Sequence, residues 1–234
     1  MKLLAFETAT EACSVAVYVD GRVHERFELA PRRHAELALP WADALLAEAG
    51  LARSQLDAIA VGRGPGAFTG VRLAVGLAQG IALALDRPVL PVSTLAVLAA
   101  GAAEAGGAHV VAAIDARMGE VYLGAFDRSS GEPRLLGREQ VLGPAAATLP
   151  DGVDWWGVGT GFDAADGALR ERLGAQLAGV DAAALPRAAD VARLGALALA
   201  RGEGLAPERL EPAYLRDNVA LNSREQQALR DARR

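Results

Sequence analysis

Four glycines, Gly62, Gly64, Gly66 and Gly70, lie between a short apolar run and a long helical pattern. Exposed amides at such a helix start bind anions, so a phosphate cradle is one reading. The spacing fits neither standard loop. A P-loop ends in Gly-Lys-Ser/Thr, which is absent, and Gly-x-Gly-x-x-Gly needs glycine where Thr69 stands. A tight strand-to-helix turn accounts for the same glycines. Two acids end apolar strands: Glu7, before Thr8-Ala9-Thr10, and Asp115, before Ala116-Arg117-Met118-Gly119. Glu7-Thr8-Ala9-Thr10 keeps hydroxyls but lacks a glycine to bring backbone against a phosphate. Asp115 can orient a metal-bound water or simply pair with Arg117. Gly157-Val158-Gly159-Thr160-Gly161 fits an adenosine-side loop or a glycine-rich exit from a strand.

Other chemistries find less support. The histidines are His24, His34 and His109, the one cysteine is Cys13, and together they form no metal-spaced set. His34 at a helix start reads as a surface or capping residue. No serine sits in Gly-x-Ser-x-Gly. A net charge of −5 gives no global basic field for autonomous nucleic-acid binding, so RNA would be gripped through a partner. Lone Cys13 and the lack of a signal-like start predict a cytoplasmic protein; the most apolar region, Leu73 to Leu98, is broken by Gln79, Asp86-Arg87-Pro88 and Pro91, so no membrane span is expected.

The 234 residues are 52% hydrophobic, enough for one large or two small domains with a real core. Strands are predicted at Lys2 to Thr8, Cys13 to Val19 and Arg22 to Leu29, with Asp20-Gly21 as a hairpin turn. A helix follows from His34 to Ala49, then a strand at Ala58 to Val61, a helix at Thr69 to Leu85, a strand at Pro88 to Val92, and a helix capped by Ser93. The order then restarts: strands at Val110 to Ile114, Glu120 to Phe126, Arg134 to Val141 and Trp155 to Val158, helices at Ala164 to Leu173 and Asp190 to Arg201. Leu3-Leu4-Ala5-Phe6-Glu7 matches Val111-Ala112-Ala113-Ile114-Asp115, and Val15 to Tyr18 matches Val121 to Gly124. A duplicated meander followed by alternating helices and strands is the plan of the actin, hexokinase and Hsp70 ATPases, a two-lobed α/β fold. That analogy carries no function by itself. The expected units are a first lobe at 1–105, a smaller second lobe at 106–212 and a tail at 213–234 packing back on the first lobe.

The Thr69 to Leu85 helix is apolar nearly all round and needs cover on both faces. Gly70, Ala74, Ala78 and Ala82 form one small-residue row, and Gly76, Gly80 and Ala84 another. In the helix before it, Leu37, Trp41, Ala44 and Leu45 form a stripe. Both helices are either sandwiched inside one lobe or present surplus apolar area to a partner.

Gly64-Pro65-Gly66-Ala67-Phe68-Thr69-Gly70-Val71-Arg72 resembles the signature segment of the TsaB (YeaZ-type) family, with Ala67 where serine is common. Glu7-Thr8-Ala9-Thr10, Arg33-His34-Ala35-Glu36, Asp115-Ala116-Arg117 and Pro212-Ala213-Tyr214-Leu215-Arg216 match in family order across nearly the whole chain. The resemblance implies a non-catalytic subunit, working with TsaD and TsaE, that supports threonylcarbamoyl transfer to N6 of adenosine 37 in tRNAs reading codons that begin with A. A separate synthase makes the threonylcarbamoyl-adenylate donor. TsaD carries a histidine pair four apart on a helix, and this chain has no such pair. The resemblance also implies pairing with TsaD, or as a homodimer when alone, through Leu37, Trp41, Leu45, Val71, Ala74, Leu77, Ala78 and Ile81. No cofactor is expected on the chain alone, ATP or ADP is admitted only in the assembled complex, and tRNA is reached only through that complex. The competing reading is a free-standing nucleotide-dependent enzyme or peptidase of the same superfamily.

Overall fold

The computed structural model describes residues 1–103, 106–151 and 153–216. Its first half contains β1 (Lys2–Glu7), β2 (Ala12–Val19), β3 (Arg22–Leu29), α1 (His34–Glu48), β4 (Ala58–Gly62), α2 (Phe68–Leu85), β5 (Val89–Val92) and α3 (Thr94–Gly101). The second half contains β6 (His109–Arg117), β7 (Glu120–Asp127), β8 (Arg134–Leu135), β9 (Gln140–Leu142), β10 (Trp155–Val158), α4 (Ala168–Leu173), β11 (Leu177–Asp181) and α5 (Ala188–Ala200). The sheets run β3-β2-β1-β4-β5 and β8-β7-β6-β10-β11, the same order twice, with β9 also paired to β7. The predicted duplication is therefore present in the hydrogen-bond topology, and the plan is the two-lobed actin-like one.

Period-two alternation sorts the core into layers. In β1, Leu4 and Phe6 face one side and meet α1 and α2, while Leu3 and Ala5 face the other and meet α5. In β6, Val110, Ala112 and Ile114 pack on α3, whereas Val111 and Ala113 join the cluster that contains Leu169 and Leu173 of α4. The lobes thus exchange helices. α3, from the first half, covers the second sheet, and α5, from the second half, covers the first. The packing is close: a Cβ on Gly101 of α3 would lie 2.8 Å from Asp190 Oδ2 of α5, and one on Gly195 of α5 would lie 2.7 Å from the Ala60 side chain of β4. Sequence order places α5 in the 106–212 lobe; packing seats it on the first sheet, because the small faces of Ala58, Ala60, Ala192 and Gly195 fit there.

That exchange is fastened at the α5 N-terminus, where the flanking Arg187 supplies no side-chain cap. Two orphan amides are met from far along the chain: Ala188 N donates to Ser14 Oγ at 2.8 Å and Ala189 N to Glu25 Oε1 at 3.0 Å. Arg187 pairs with Glu25 at 2.6 Å and lies over the Phe27 ring. A second tie runs from Ser93 Oγ to Glu139, joining the start of α3 to the second half.

Three further expectations change. The predicted Arg134 to Val141 strand is two short pieces, β8 and β9, separated by Gly137 at φ +88°. The predicted Ala164 to Leu173 helix begins only at Ala168, because Ala165, Asp166 and Gly167 all take positive φ. β11 was not foreseen: Leu-Ala-Gly-Val-Asp is neither alternating nor β-branched enough to stand out. The α2 helix is long and apolar enough, by length and composition alone, to cross a membrane, yet one face of it is buried on the first sheet. The predicted boundary at residue 105 and the 217–234 part of the tail lie outside the described residues.

Candidate functional site

β1 and β4 are parallel neighbours, with Phe6 beside Val61, so their exit loops meet at the same sheet end. There the four glycines admit the protein's own chain. A Cβ on Gly70 would lie 1.9 Å from the Thr8 carbonyl oxygen, one on Gly66 2.4 Å from the Ala9 oxygen, and one on Gly62 1.9 Å from Glu7 Oε2. Hydrogen bonds close the same joint: Thr8 Oγ1 donates to Gly70 O at 2.7 Å, Ala67 N to Ala9 O at 2.7 Å, and Thr94 N to Gly64 O at 2.9 Å. Gly64 stands at φ +96°, a backbone region that favours glycine. Residues 7–9 thus pack directly against the glycine turn.

Glu7 is buried inside this joint. It accepts from Ala9 N at 2.7 Å and from Thr94 Oγ1 at 3.2 Å. Burial pushes its carboxyl up to about 7, against the opposing pull of the Ala9 amide, the Thr94 hydroxyl and the Thr8 amide. His34 Nε2 lies 3.0 Å from Thr10 O and 3.2 Å from Ala12 O, so its ring pins the start of α1 to the β1–β2 connection.

In the second half the matching acid also serves the backbone. Asp115 accepts from Arg117 N at 2.7 Å and pairs with the Arg117 guanidinium at 2.8 Å, holding a turn in which Arg117, Met118 and Gly119 have positive φ. The glycines that resembled an adenosine loop pack inward: a Cβ on Gly159 would lie 2.3 Å from Ala113 O, and one on Gly157 2.6 Å from Phe162. The buried Cys13 thiol is pushed up to about 11, chiefly by burial and further by Glu28, which removes it from nucleophilic work near neutral pH.

The expected partner residues divide. Leu45, Val71, Ala74 and Ala78 are buried in their own lobe, so they cannot form a contact surface; in α2, Val71, Ala74 and Ala78 lie on the side that packs on the first sheet. Leu37, Trp41, Leu77 and Ile81 are half-buried, packed on that core yet reaching the surface. The two small-residue rows separate in the same way: Gly70, Ala74, Ala78 and Ala82 are buried, while Gly76, Gly80 and Ala84 are exposed. Added Cβ atoms on Gly76 and Gly80 would meet nothing within 4 Å. At about 100° per residue, Leu73, Leu77 and Leu83 share their arc. Leu83 is 53% exposed, a residue the interface expectation missed although its i, i+3 and i+7 spacing to Gly80 and Gly76 was legible. On the flank of the helix, Gln79 Nε2 donates to Pro207 O and Leu210 O, both at 3.1 Å.

Of the family-signature residues, Pro65 is buried in the turn, while Phe68, Thr69 and Arg72 face outward from the first turns of α2. Arg72 Cζ lies 3.6 Å from the centre of the Phe68 ring, and Nε donates to Tyr214 Oη at 2.8 Å. Tyr214 belongs to the expected tail, where Ala213 N donates to Arg63 O at 2.8 Å.

A family model described as TsaD, tRNA N6-adenosine threonylcarbamoyltransferase, matches residues 12–223. The chain is 41% identical to the tRNA threonylcarbamoyladenosine biosynthesis protein TsaB of Escherichia coli K12, over 94% of this chain and 96% of that one. It is 42% identical to the protein of the same name from Haemophilus influenzae, over 94% and 95%. Among solved structures, YeaZ from Pseudomonas aeruginosa superposes with a TM-score of 0.86 at 51% identity, covering 92% of this chain and 99% of that chain.

Proposed function

Because the chain belongs to the TsaB family, we propose that it is a non-catalytic subunit of tRNA threonylcarbamoyladenosine biosynthesis, one that docks on the transferase TsaD and shapes its active site. The observation that carries this reading is the open face of α2. Gly76, Gly80 and Ala84 are exposed beside Leu73, Leu77 and Leu83, with Leu37 and Trp41 of α1 half-buried nearby. Small residues let a second helix approach closely, and the flanking leucines supply apolar area that is costly to leave in water. The same face pairs two copies of the chain when TsaD is absent.

The non-catalytic role is supported by the closed joint, where loop 7–10 occupies the glycine turn, and by the Arg117 pairing that engages Asp115. TsaE and the synthase that makes threonylcarbamoyl-adenylate complete the system, ATP or ADP binds only in the assembled complex, and the setting is the cytoplasm. The test is reconstitution. Threonylcarbamoylation of adenosine 37 is assayed with TsaD, TsaE and the synthase, with and without this chain, and pairing is followed by size exclusion. Modification should require the chain, and Leu83→Glu should abolish both pairing and modification while the melting profile is kept. Steady ATP turnover by the purified chain alone, lost on Asp115→Asn, would overturn the reading in favour of a free-standing enzyme.

A further inference from the structure

Phe68 and Tyr214 are the two Phe, Tyr or Trp side chains that are more than half exposed among the described residues, at 57% and 55%. They are not scattered. Their ring centres stand 6.4 Å apart, tilted by 37°, with the Arg72 guanidinium 3.6 Å from the Phe68 centre and 5.6 Å from that of Tyr214. The Tyr214 hydroxyl accepts from Arg72, so the ring pair is held in place before any ligand arrives.

The surface continues onto the second half. Two residues beyond Tyr214, Arg216 donates to Ala116 O at 3.1 Å, pairs with Glu120 at 2.5 Å and touches Met118 Sδ at 3.8 Å. Met118 is 87% exposed, and Arg117 beside it has an 83% exposed side chain. Along this path three arginines, Arg72, Arg117 and Arg216, face two carboxylates, Asp115 and Glu120. Arg72 has no carboxylate partner among the described residues. Arg117 meets Asp115 through one guanidinium nitrogen, which leaves its remaining donors open to a phosphate while the pair is kept.

We propose that this Phe68–Arg72–Tyr214 cluster, extended through Arg216, Met118 and Arg117, is a contact surface for an unpaired stretch of RNA. It rests on the tRNA-modification reading above and adds to it a site on this chain rather than on its partner. Exposed π-faces backed by guanidinium groups suit nucleobases, which stack without regard to sequence, and the arginines suit the backbone that joins them. A protein partner is better served by the aliphatic stripe further along α2. The net charge of −5 argues against binding over the whole surface, so the contact rests on this local cluster.

The experiment measures fluorescence anisotropy of a fluorescein-labelled unpaired RNA dodecamer at low salt against the full-length chain, alone and bound to TsaD, with pairing followed on the same samples. The double variant Phe68→Leu with Tyr214→Leu should weaken binding tenfold or more. Arg72→Gln should weaken it and lower the slope of log affinity against log salt by about 1. Tyr214→Phe, which keeps the ring but loses the bond to Arg72, should weaken binding less than the double leucine variant does. Unchanged affinity in the double leucine variant, equal affinity for duplex RNA of the same length, or no binding by wild type in either form would overturn the proposal. So would loss of TsaD pairing in step with loss of RNA binding, since the cluster would then be a protein contact. If RNA binding follows the variants as stated but reconstituted modification does not need the chain, the functional reading falls and this surface stands.

Discussion

The glycines of the β4–α2 turn and those of the α2 stripe are the same residue set to opposite uses. Gly62, Gly66 and Gly70 are needed because backbone or a carboxylate of the same chain lies where a Cβ would be; Gly76 and Gly80 face open space. A glycine-rich segment thus divides into a closed half, where the molecule fills its own cradle, and an open half, where the missing side chains leave room for another molecule. The most forceful way to break that contrast is to put atoms into the closed half. Gly70→Ala should cost about 3 kcal/mol or more, read by chemical denaturation, because the obstacle is the Thr8 carbonyl and not a flexible side chain. Leu45→Glu, at a side chain 1% exposed, should cost at least as much by burying an unpaired charge. Near-normal stability of Gly70→Ala would mean that the joint is looser than its distances say, and of Leu45→Glu that the α1 side of the core is open to water.

Glu7 tests the closed half without adding bulk. Its carboxyl is raised from an ordinary value of 4.5 to about 7, so between those pH values the unfolded chain releases a proton that the folded one keeps. Stability therefore falls as pH rises through this window, by roughly 3 kcal/mol at most. Glu7→Gln removes the decline. The variant should gain on wild type in denaturation midpoint at pH 8 and show the smallest difference below pH 4.5. A difference that did not vary with pH would place the carboxyl in water. Ser14 offers a smaller version of the same test at the other closure, where Ala188 N depends on its hydroxyl. Ser14→Ala should cost about 1 kcal/mol in global stability, since it loosens α5 on the sheet it borrows.

What the sequence disclosed follows the same division. Strands β1 to β3 and helices α1 and α2 were legible to within a residue or two because each carries a local pattern: alternation, a 3.6-residue period, or a turn at Asp20-Gly21. The reciprocal packing of α3 and α5 left no local trace, for nothing in Ala188 to Ala200 states which sheet it will cover. Nor does a helix apolar all round say which of two small-residue rows will be buried. The interface expectation accordingly includes Val71, Ala74 and Ala78 from the side that seats on the sheet and omits Gly76, Gly80 and Leu83 from the side that does not. Phe68 and Arg72 were legible as family markers, but their stack on Tyr214 joins positions 142 residues apart.

The smallest effect is the most discriminating, because its sign differs between the two halves. Gly80 is an exposed helix-interior residue whose added Cβ would touch nothing in the monomer. Alanine there reduces the backbone freedom lost on folding, so Gly80→Ala should stabilise the isolated chain by about 0.5–1 kcal/mol in denaturation. In a paired helix the same methyl stands where the second backbone approaches. Pairing should weaken by about tenfold, or about 1.4 kcal/mol, in sedimentation at graded concentration. The chain is then more stable alone and less able to associate, a combination that ordinary destabilisation cannot produce. If Gly80→Ala stabilises the fold and leaves association unchanged, the open row does not lie at the contact, and the partner sits on the leucines to one side of it.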